Sequence, residues 1–374
     1  MNKALRLAVV GHKHLPSREG GVEIVVEELS TRMAKKGLDV TCYNRNNAHV
    51  CGDQYEILKS NNYKGIKIKE VPTINRKGFA ALTSSFFGAI FSAFGKYDVV
   101  HFHAEGTAFF CWLPRILGKK VIVTVHGLDW KRDKWGKMAK TYIILGEKSA
   151  VKFAHEIIVL SENVQNYFLE KYKRNTKFIP NGVNPPVLHE ADLIHKKFGL
   201  NKDDYFLYLG RIVPEKGIQY LIEAYQQLNT EKKLVIAGGA SDTDEFYSKL
   251  KQMALSDKNI IFTDFVDGQI LDELFSNAYV YVQPSDIEGM SLSLLEAMSY
   301  GNCCVVSNIP ECADVVEDKA IIFEKQNIKE LAEKLQYLSD HKDFVSKYKG
   351  EASEYICKKY NWDDVVAQTI DLYK

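Results

Sequence analysis

Short β-branched apolar runs alternate with amphipathic stretches along most of the chain. Residues 5–11 (LRLAVVG) form a nearly unbroken apolar run, the pattern of a strand buried on both faces. Residues 22–36 follow, with apolar side chains at 22, 25, 26, 29 and 33, the stripe of a helix. Further strand-like runs lie at 39–43, 66–71, 99–102, 121–125, 156–160 and 177–179. A second series opens with YFLYLG at 205 and continues at 233–237, 260–263, 279–283, 303–307 and 320–323. Helical stripes fall between these at 218–228, 244–255, 270–277, 292–300 and 329–339. This βαβα order predicts an α/β protein with two doubly wound, parallel-sheet domains carrying helices on both faces.

The two series meet at PNGVNPP, residues 180–186, which holds three of the nine prolines. That density of turn formers reads as a linker. The expected division is 1–183 for a first domain, 184–358 for a second, and 359–374 for a closing helix able to pack back on the first. Open α/β sheets bind ligands beyond the carboxyl ends of their strands, so the two domains are expected to face one crevice.

Composition adds exclusions. The 374 residues suffice for two cores. Lys and Arg total 49 against 48 Asp and Glu, a net charge of +1. Such a balance argues against general nucleic-acid binding but leaves room for a local cationic site. The seven cysteines include no Cys-x-x-Cys pair, so no zinc site is expected, and free thiols point to the cytoplasm. The apolar run at the N-terminus is too short for a signal peptide. The longest uncharged stretch, 78–95, is flanked by Arg76, Lys77 and Lys96 and interrupted by Thr83, Ser84, Ser85, Gly88 and Ser92. It predicts a helix covering one sheet face. The alternative is an apolar face touching a membrane surface, and Arg76, Lys77 and Lys96 would suit a lipid-linked acceptor there.

Several segments could carry chemistry. Gly20 and Gly21 precede the first helix, where missing side chains and free N–H groups suit a phosphate, or simply make a turn. GxGxxG is absent, which excludes a conventional dinucleotide fingerprint. Arg211 and Lys216 share the loop after the strand at 205, a diphosphate clamp in chemical terms, or two surface cations with Glu215 as partner. Glu288 precedes a helix and Glu296 lies eight residues later, so both carboxylates could turn to one side and accept from sugar hydroxyls. N–H groups of Gly289, Met290 and Ser291 would face the same crevice. His126 ends a strand and could bond a substrate hydroxyl or serve as a core histidine. His101 and His103 end another strand and read as structural or acceptor-side. Glu105 and Asp129 are nearby polar residues of open role. Asp242-Thr243-Asp244 resembles a divalent-ion pair but opens a helix, where capping is the simpler reading.

Together, Gly20-Gly21, His126, the Gly-Arg-x4-Lys loop and Glu288-x7-Glu296 within EGMSLSLLEAMSYG resemble retaining glycosyltransferases of family 4, which have the GT-B fold. The PS prefix and PNGV strengthen the likeness. HLPSREGGVE and TVHGLDW resemble the bacterial cell-surface polysaccharide subset. The resemblance implies that Gly20 and Gly21 approach the donor diphosphate and Arg211 and Lys216 neutralise it. Glu296 would hold the ribose, and Glu288 the donor sugar beside the Gly289–Ser291 backbone. His126 would face that sugar, and the backbone at Phe265 and Val266 would hold the base. In this sequence Met290 replaces a commoner Phe. SNIPE at 307–311 departs from the usual Gly-Gly before Pro-Glu.

The resemblance implies a cytoplasmic enzyme, peripheral to a membrane, with no cofactor and no metal. Its donor would be a nucleotide-diphosphate sugar, a UDP-sugar favoured over a GDP-sugar. Its acceptor would be a glycan or lipid-linked glycan, not nucleic acid. The competing readings are an epimerase or hydrolase of the same fold, active without an acceptor, and a non-catalytic sugar-nucleotide-binding subunit.

Overall fold

The computed structural model describes residues 4–18, 20–46, 60–76, 78–132, 135–240 and 243–374. Asp242 and Lys77, used in the sequence reading, lie outside them. The chain forms two compact units: Met1–Asn181 with Trp362–Lys374, and Gly182–Asn361.

The first unit holds an eight-stranded sheet: β1 (Arg6–Val10), β2 (Asp39–Arg45), β3 (Asn62–Tyr63), β4 (Ile66–Val71), β5 (Val99–His103), β6 (Lys120–Val125), β7 (Glu156–Val159) and β8 (Lys177–Phe178), in the order β3-β4-β2-β1-β5-β6-β7-β8. Its pairs are parallel except β3–β4, a two-residue antiparallel turn-back that carries no pattern for the sequence to show. Its helices are α1 (Gly21–Lys35), α2 (Phe79–Phe94), α3 (Trp112–Ile116), α4 (Lys137–Phe153) and α5 (Glu162–Tyr172). The central strands are buried on both faces, which is why they read as continuous apolar runs: Val100, Phe102, Val121 and Val123 are wholly buried.

The second unit repeats the plan with six parallel strands: β9 (Tyr205–Leu209), β10 (Lys233–Ala237), β11 (Ile260–Asp264), β12 (Val280–Gln283), β13 (Cys303–Ser307) and β14 (Ile321–Phe323), ordered β11-β10-β9-β12-β13-β14. Its helices are α6 (Leu193–Phe198), α7 (Ile218–Tyr225), α8 (Asp244–Met253), α9 (Gly268–Asn277), α10 (Leu292–Ser299), α11 (Pro310–Val316), α12 (Ile328–Asp340) and α13 (Lys342–Lys359). The strand order reverses between β9 and β12, the kind of point where open α/β sheets take their ligands.

The closing helix α14 (Trp362–Asp371) belongs to the first unit. It packs on α1 by burying Trp362, Val365, Val366 and Thr369. Arg32 pairs with Asp363 at 3.2 Å, and the buried Tyr373 hydroxyl meets His101 Nδ1 at 2.7 Å.

Candidate functional site

In the second unit the site residues gather where β9 and β12 end. Gly217 is the pivot. It has φ +67°, and a Cβ there would lie 1.9 Å from the Pro284 carbonyl oxygen. Only glycine lets the loop after β9 approach the loop after β12 this closely. The approach delivers Lys216 to Glu288: Nζ donates to Oε1 at 2.6 Å, with the side chains 13% and 7% exposed. The same oxygen accepts from Ser285 Oγ at 2.7 Å and Gln283 Nε2 at 3.0 Å. Glu215, the partner that its position beside Lys216 suggests, is not used. Its buried carboxylate has no hydrogen-bond partner among the described residues.

Gly289, Met290 and Ser291 are buried as residues. The Ser291 hydroxyl caps α10, accepting from Leu294 N at 3.3 Å and donating to Gln283 Oε1 at 2.9 Å. This places the start of α10 beside the Lys216–Glu288 pair through Gln283. Glu296 lies half-buried in the second turn of α10. Arg211 is half-buried on the loop after β9. That loop is held to the one after β10 by Ile212 N bonding Gly239 O at 3.0 Å. Gly238 (φ +145°) permits this contact, since a Cβ there would stand 1.8 Å from Gly210 O. Phe265, half-buried, and Val266, buried, follow β11 beside Gly239. The SNIPE segment joins the same neighbourhood: Ser307 Oγ donates to Ser285 O, and Pro310 begins α11.

In the first unit, Gly20 precedes α1 in extended conformation, and Gly21 is its first residue, exposed. The Glu23 carboxylate stands over this helix start: it is buried, accepts from Lys13 N at 2.9 Å, and would meet a Cβ on Gly20 at 2.7 Å. From the sequence this helix start reads as a phosphate cradle or simply a turn, and neither reading includes the carboxylate above it.

His126 directly follows β6 and is half-buried. Its Nε2 meets Nδ1 of His103, at the end of β5, at 2.9 Å. His103 stacks on His101 with ring centroids 4.3 Å apart, and His101 also bonds Thr124 Oγ1 at 2.7 Å. Burial pushes His126 down to about 4, although Asp129 and Glu23 pull it up. Burial also takes His12 to about 4 and His101 to about 3, and holds His103 well below the ordinary imidazole range. These rings are therefore neutral near pH 7, with one N–H each to share.

Two buried carboxyls that the sequence leaves without a role brace the loop after His126. Glu105 accepts from Asp129 N at 2.8 Å. Burial, with Asp129 and Glu147 nearby, holds it well above the usual carboxylate range. Glu147, on α4, accepts from Trp130 Nε1 at 3.2 Å, Tyr167 Oη at 2.9 Å, Lys171 Nζ at 3.2 Å and the Tyr172 hydroxyl. Burial pushes Glu147 up, but its hydrogen bonds outweigh this and hold it low. Gly146 lets α4 close on this segment, since a Cβ there would lie 2.0 Å from Glu105 O. Glu147 sits in an unremarkable helical sequence, and only the tertiary fold gives it these partners.

Among the described residues, no group of three or more His, Cys, Asp or Glu side chains is placed to hold a metal ion. Thr243 and Asp244 stand at the start of α8.

Comparison with known proteins assigns most of both units to one family. Residues 19–186 match the family described as Glycosyltransferase Family 4, and residues 190–355 match Glycosyl transferases group 1. An alpha-maltose-1-phosphate synthase of Mycolicibacterium smegmatis is 23% identical, covering 99% of both chains. A UDP-Gal:alpha-D-GlcNAc-diphosphoundecaprenol alpha-1,3-galactosyltransferase of Escherichia coli is 32% identical, covering 57% of this chain and 58% of its own. Among solved structures, a sucrose-phosphate synthase of Thermosynechococcus elongatus shares the fold with a TM-score of 0.83 at 20% identity. It covers 99% of this chain and 98% of its own. Anabaena HepE in complex with UDP-glucose has a TM-score of 0.80 at 14% identity, covering 98% and 99%. The protein belongs to glycosyltransferase family 4, with the GT-B fold, and transfers sugar from a nucleotide-sugar donor.

Proposed function

We propose that this enzyme moves a sugar, with retention of anomeric configuration, from a nucleotide-diphosphate sugar to a hydroxyl of a glycan. The acceptor is taken to be lipid-linked and to belong to cell-surface polysaccharide synthesis. The observation that carries the reading is the buried Lys216–Glu288 pair beside the capped start of α10. One oxygen of Glu288 takes three donors, and Oε2 takes none of these bonds and is left to accept from a sugar hydroxyl. The ion pair holds the Lys216 ammonium in place before any phosphate arrives, so little reorganisation is needed as leaving-group charge develops.

In this reading Arg211 and Lys216 neutralise the departing diphosphate, Glu296 holds the ribose, and the Phe265–Val266 backbone holds the base. Gly20 and Gly21 approach the phosphates, and Gly289, Met290 and Ser291 line the sugar site. His126 presents a neutral imidazole to the donor sugar. The transition state is oxocarbenium-like. The donor phosphate takes the acceptor proton on the same face, and the two protein cations supply the charge that a metal ion otherwise would. Glu288 and Glu296 bind and do not act as a glycosidase pair. The E. coli relative, named for a diphosphoundecaprenol acceptor, favours a lipid-linked acceptor here.

The test is a thermal-shift screen of nucleotide sugars. One donor should raise the midpoint by mass action, and Glu296→Ala should remove that rise with the fold intact. A shift unchanged in Glu296→Ala would contradict the assignment.

A further inference from the structure

Helix α2 is built inside out. Its buried residues are Ser84, Ser85, Gly88, Ala89, Ser92 and Ala93. Four of its five phenylalanines are exposed, Phe94 to 74%, Phe79 to 54%, Phe86 to 41% and Phe91 to 40%, while Phe87 packs against the core. At about 100° per residue, Phe79, Phe86, Ile90 and Phe94 fall on one side of the helix and Ser85, Gly88 and Ser92 on the other.

The small face has a packing reason. A Cβ on Gly88 would stand 2.7 Å from Val10 Cγ1, so the sheet admits only small side chains. The inward hydroxyls are satisfied locally, Ser84 and Ser85 on the Ala81 carbonyl and Ser92 on that of Ala89. Phe91 meets Tyr43 of β2, with ring centroids 6.4 Å apart, but packing against the sheet does not explain Phe79, Phe86 and Phe94, which could have been polar at no cost to that contact. The patch continues onto α3, which packs on α2 and exposes Trp112, Ile116 and Leu117. A contiguous exposed apolar patch of this kind marks an interaction surface.

Charge identifies the partner. From residue 72 to 97 and from 106 to 128 the sequence has no Asp or Glu. Arg76 stands just before α2, Lys96 just after it, and Arg115 between Trp112 and Ile116, all exposed. Lys119 ties the two helices together, donating to the carbonyls of Gly95 and Tyr97 at 3.0 and 2.9 Å. Phenyl and indole rings bordered by cations match the acyl chains and phosphates of an anionic bilayer.

We propose that the α2–α3 face of the first unit docks on an anionic membrane surface. Helix α2 lies in the interface plane, with Arg76, Lys96 and Arg115 at the level of the lipid phosphates. The helix lies flat because its 16 residues reach only about 24 Å, short of the ~30 Å hydrocarbon core, and its other face is taken by the sheet. Among the described residues no helix is long and apolar enough to cross a membrane. This deepens the sugar-transfer reading by placing a lipid-linked acceptor, and it rests on that reading for the acceptor alone.

The test is co-sedimentation of the full chain with vesicles of phosphatidylglycerol and phosphatidylcholine in equal parts, and with phosphatidylcholine alone. Binding is expected only with the anionic vesicles, and it should weaken at least tenfold on going from about 0.1 M to about 1 M salt. Arg76→Gln/Arg115→Gln should weaken it roughly 25-fold, about fivefold per cation. Phe86→Ser/Phe94→Ser should abolish it while the thermal shift by donor stays unchanged. Equal binding to both vesicle types, binding to neither, or undiminished binding by the phenylalanine variant would overturn the proposal. So would a dimer that forms in place of vesicle binding and is lost in that variant. A wild-type protein that binds vesicles but no nucleotide sugar would instead overturn the sugar-transfer reading and leave the docking surface standing.

Discussion

Lys216 and Glu288 should show opposite responses in stability and in ligand binding. Their side chains are 13% and 7% exposed and 2.6 Å apart. Breaking one partner of a buried ion pair costs about 3–5 kcal/mol, because an uncompensated charge remains in a low-dielectric site. Here Lys216→Met leaves the Glu288 carboxylate with two further donors, Ser285 and Gln283, so the expected cost is nearer 3 kcal/mol. Glu288→Gln leaves the Lys216 ammonium without its counter-ion and should cost about as much. The double variant carries no buried charge at this position and keeps an amide for Ser285. It should therefore be more stable than either single variant, with a coupling energy of roughly 2 kcal/mol or more. Urea unfolding followed by circular dichroism measures all four proteins. Donor binding, read by calorimetry on the same proteins, should be lost in the double variant despite its recovered stability. Additive stability losses, within about 0.5 kcal/mol, would refute the pairing. Retained donor binding in the double variant would refute its placement in the donor site.

Gly217→Ala tests the approach of the two loops, since its φ is +67° and its Cβ would lie 1.9 Å from Pro284 O. It should cost more than the ~1–2 kcal/mol of the left-handed backbone alone and should weaken donor binding. Gly37→Ala, at φ +90° with nothing within 4 Å, should show only the backbone cost, and equal losses in the two variants would contradict the account. For His101 the folded value is pushed from 6.5 to about 3 by burial, then by His126. The unfolded chain takes the proton first, so this contribution is complete above about pH 6.5 and is lost as pH falls toward 3. Glu105, with a raised folded value, runs the other way: its contribution is present below about 4.5 and is lost as pH rises. Comparing His101→Asn with wild type cancels Glu105. The stability gap between them should narrow by about 1.4 kcal/mol from pH 7.5 to 5.5. A gap equal at both pH values would show that His101 is not held neutral by the fold.

The sequence was most legible where periodicity follows directly from burial. Lys233–Ala237 and Cys303–Ser307 fall at the expected positions because central parallel strands need apolar side chains on both faces, and Ile66–Val71 shows instead the alternation of a strand near the sheet edge, with Ile66, Ile68 and Val71 inward and Lys67, Lys69 and Glu70 outward. Helix α13 has no comparable signal, since only Val345, Ala352 and Ile356 of its eighteen residues are buried. Helix α2 was expected to cover a sheet face, and it does. Which face it turns inward was hidden, because the fit of Gly88 against Val10 decides it. The site shows the same limit. Glycines beside charged residues pointed to the loops after β9 and β12. The choice of Glu288 over adjacent Glu215 as the partner of Lys216 depends on β9 and β12 being neighbours in the sheet. Likewise, nothing local connects Glu147 to Trp130 or Tyr373 to His101. Those contacts arise when α4 and α14 pack on the first sheet.

The central claim, sugar transfer through the Lys216–Glu288–Glu296 site, is tested most directly by acceptor-dependent release of nucleoside diphosphate. Wild type and Lys216→Ala/Glu296→Ala should be compared with the donor that the screen identifies and a lipid-linked glycan acceptor. The account predicts release only when acceptor is present, with loss in the double variant while its circular dichroism stays native. Full transfer by the double variant, or equal release without acceptor, would contradict it.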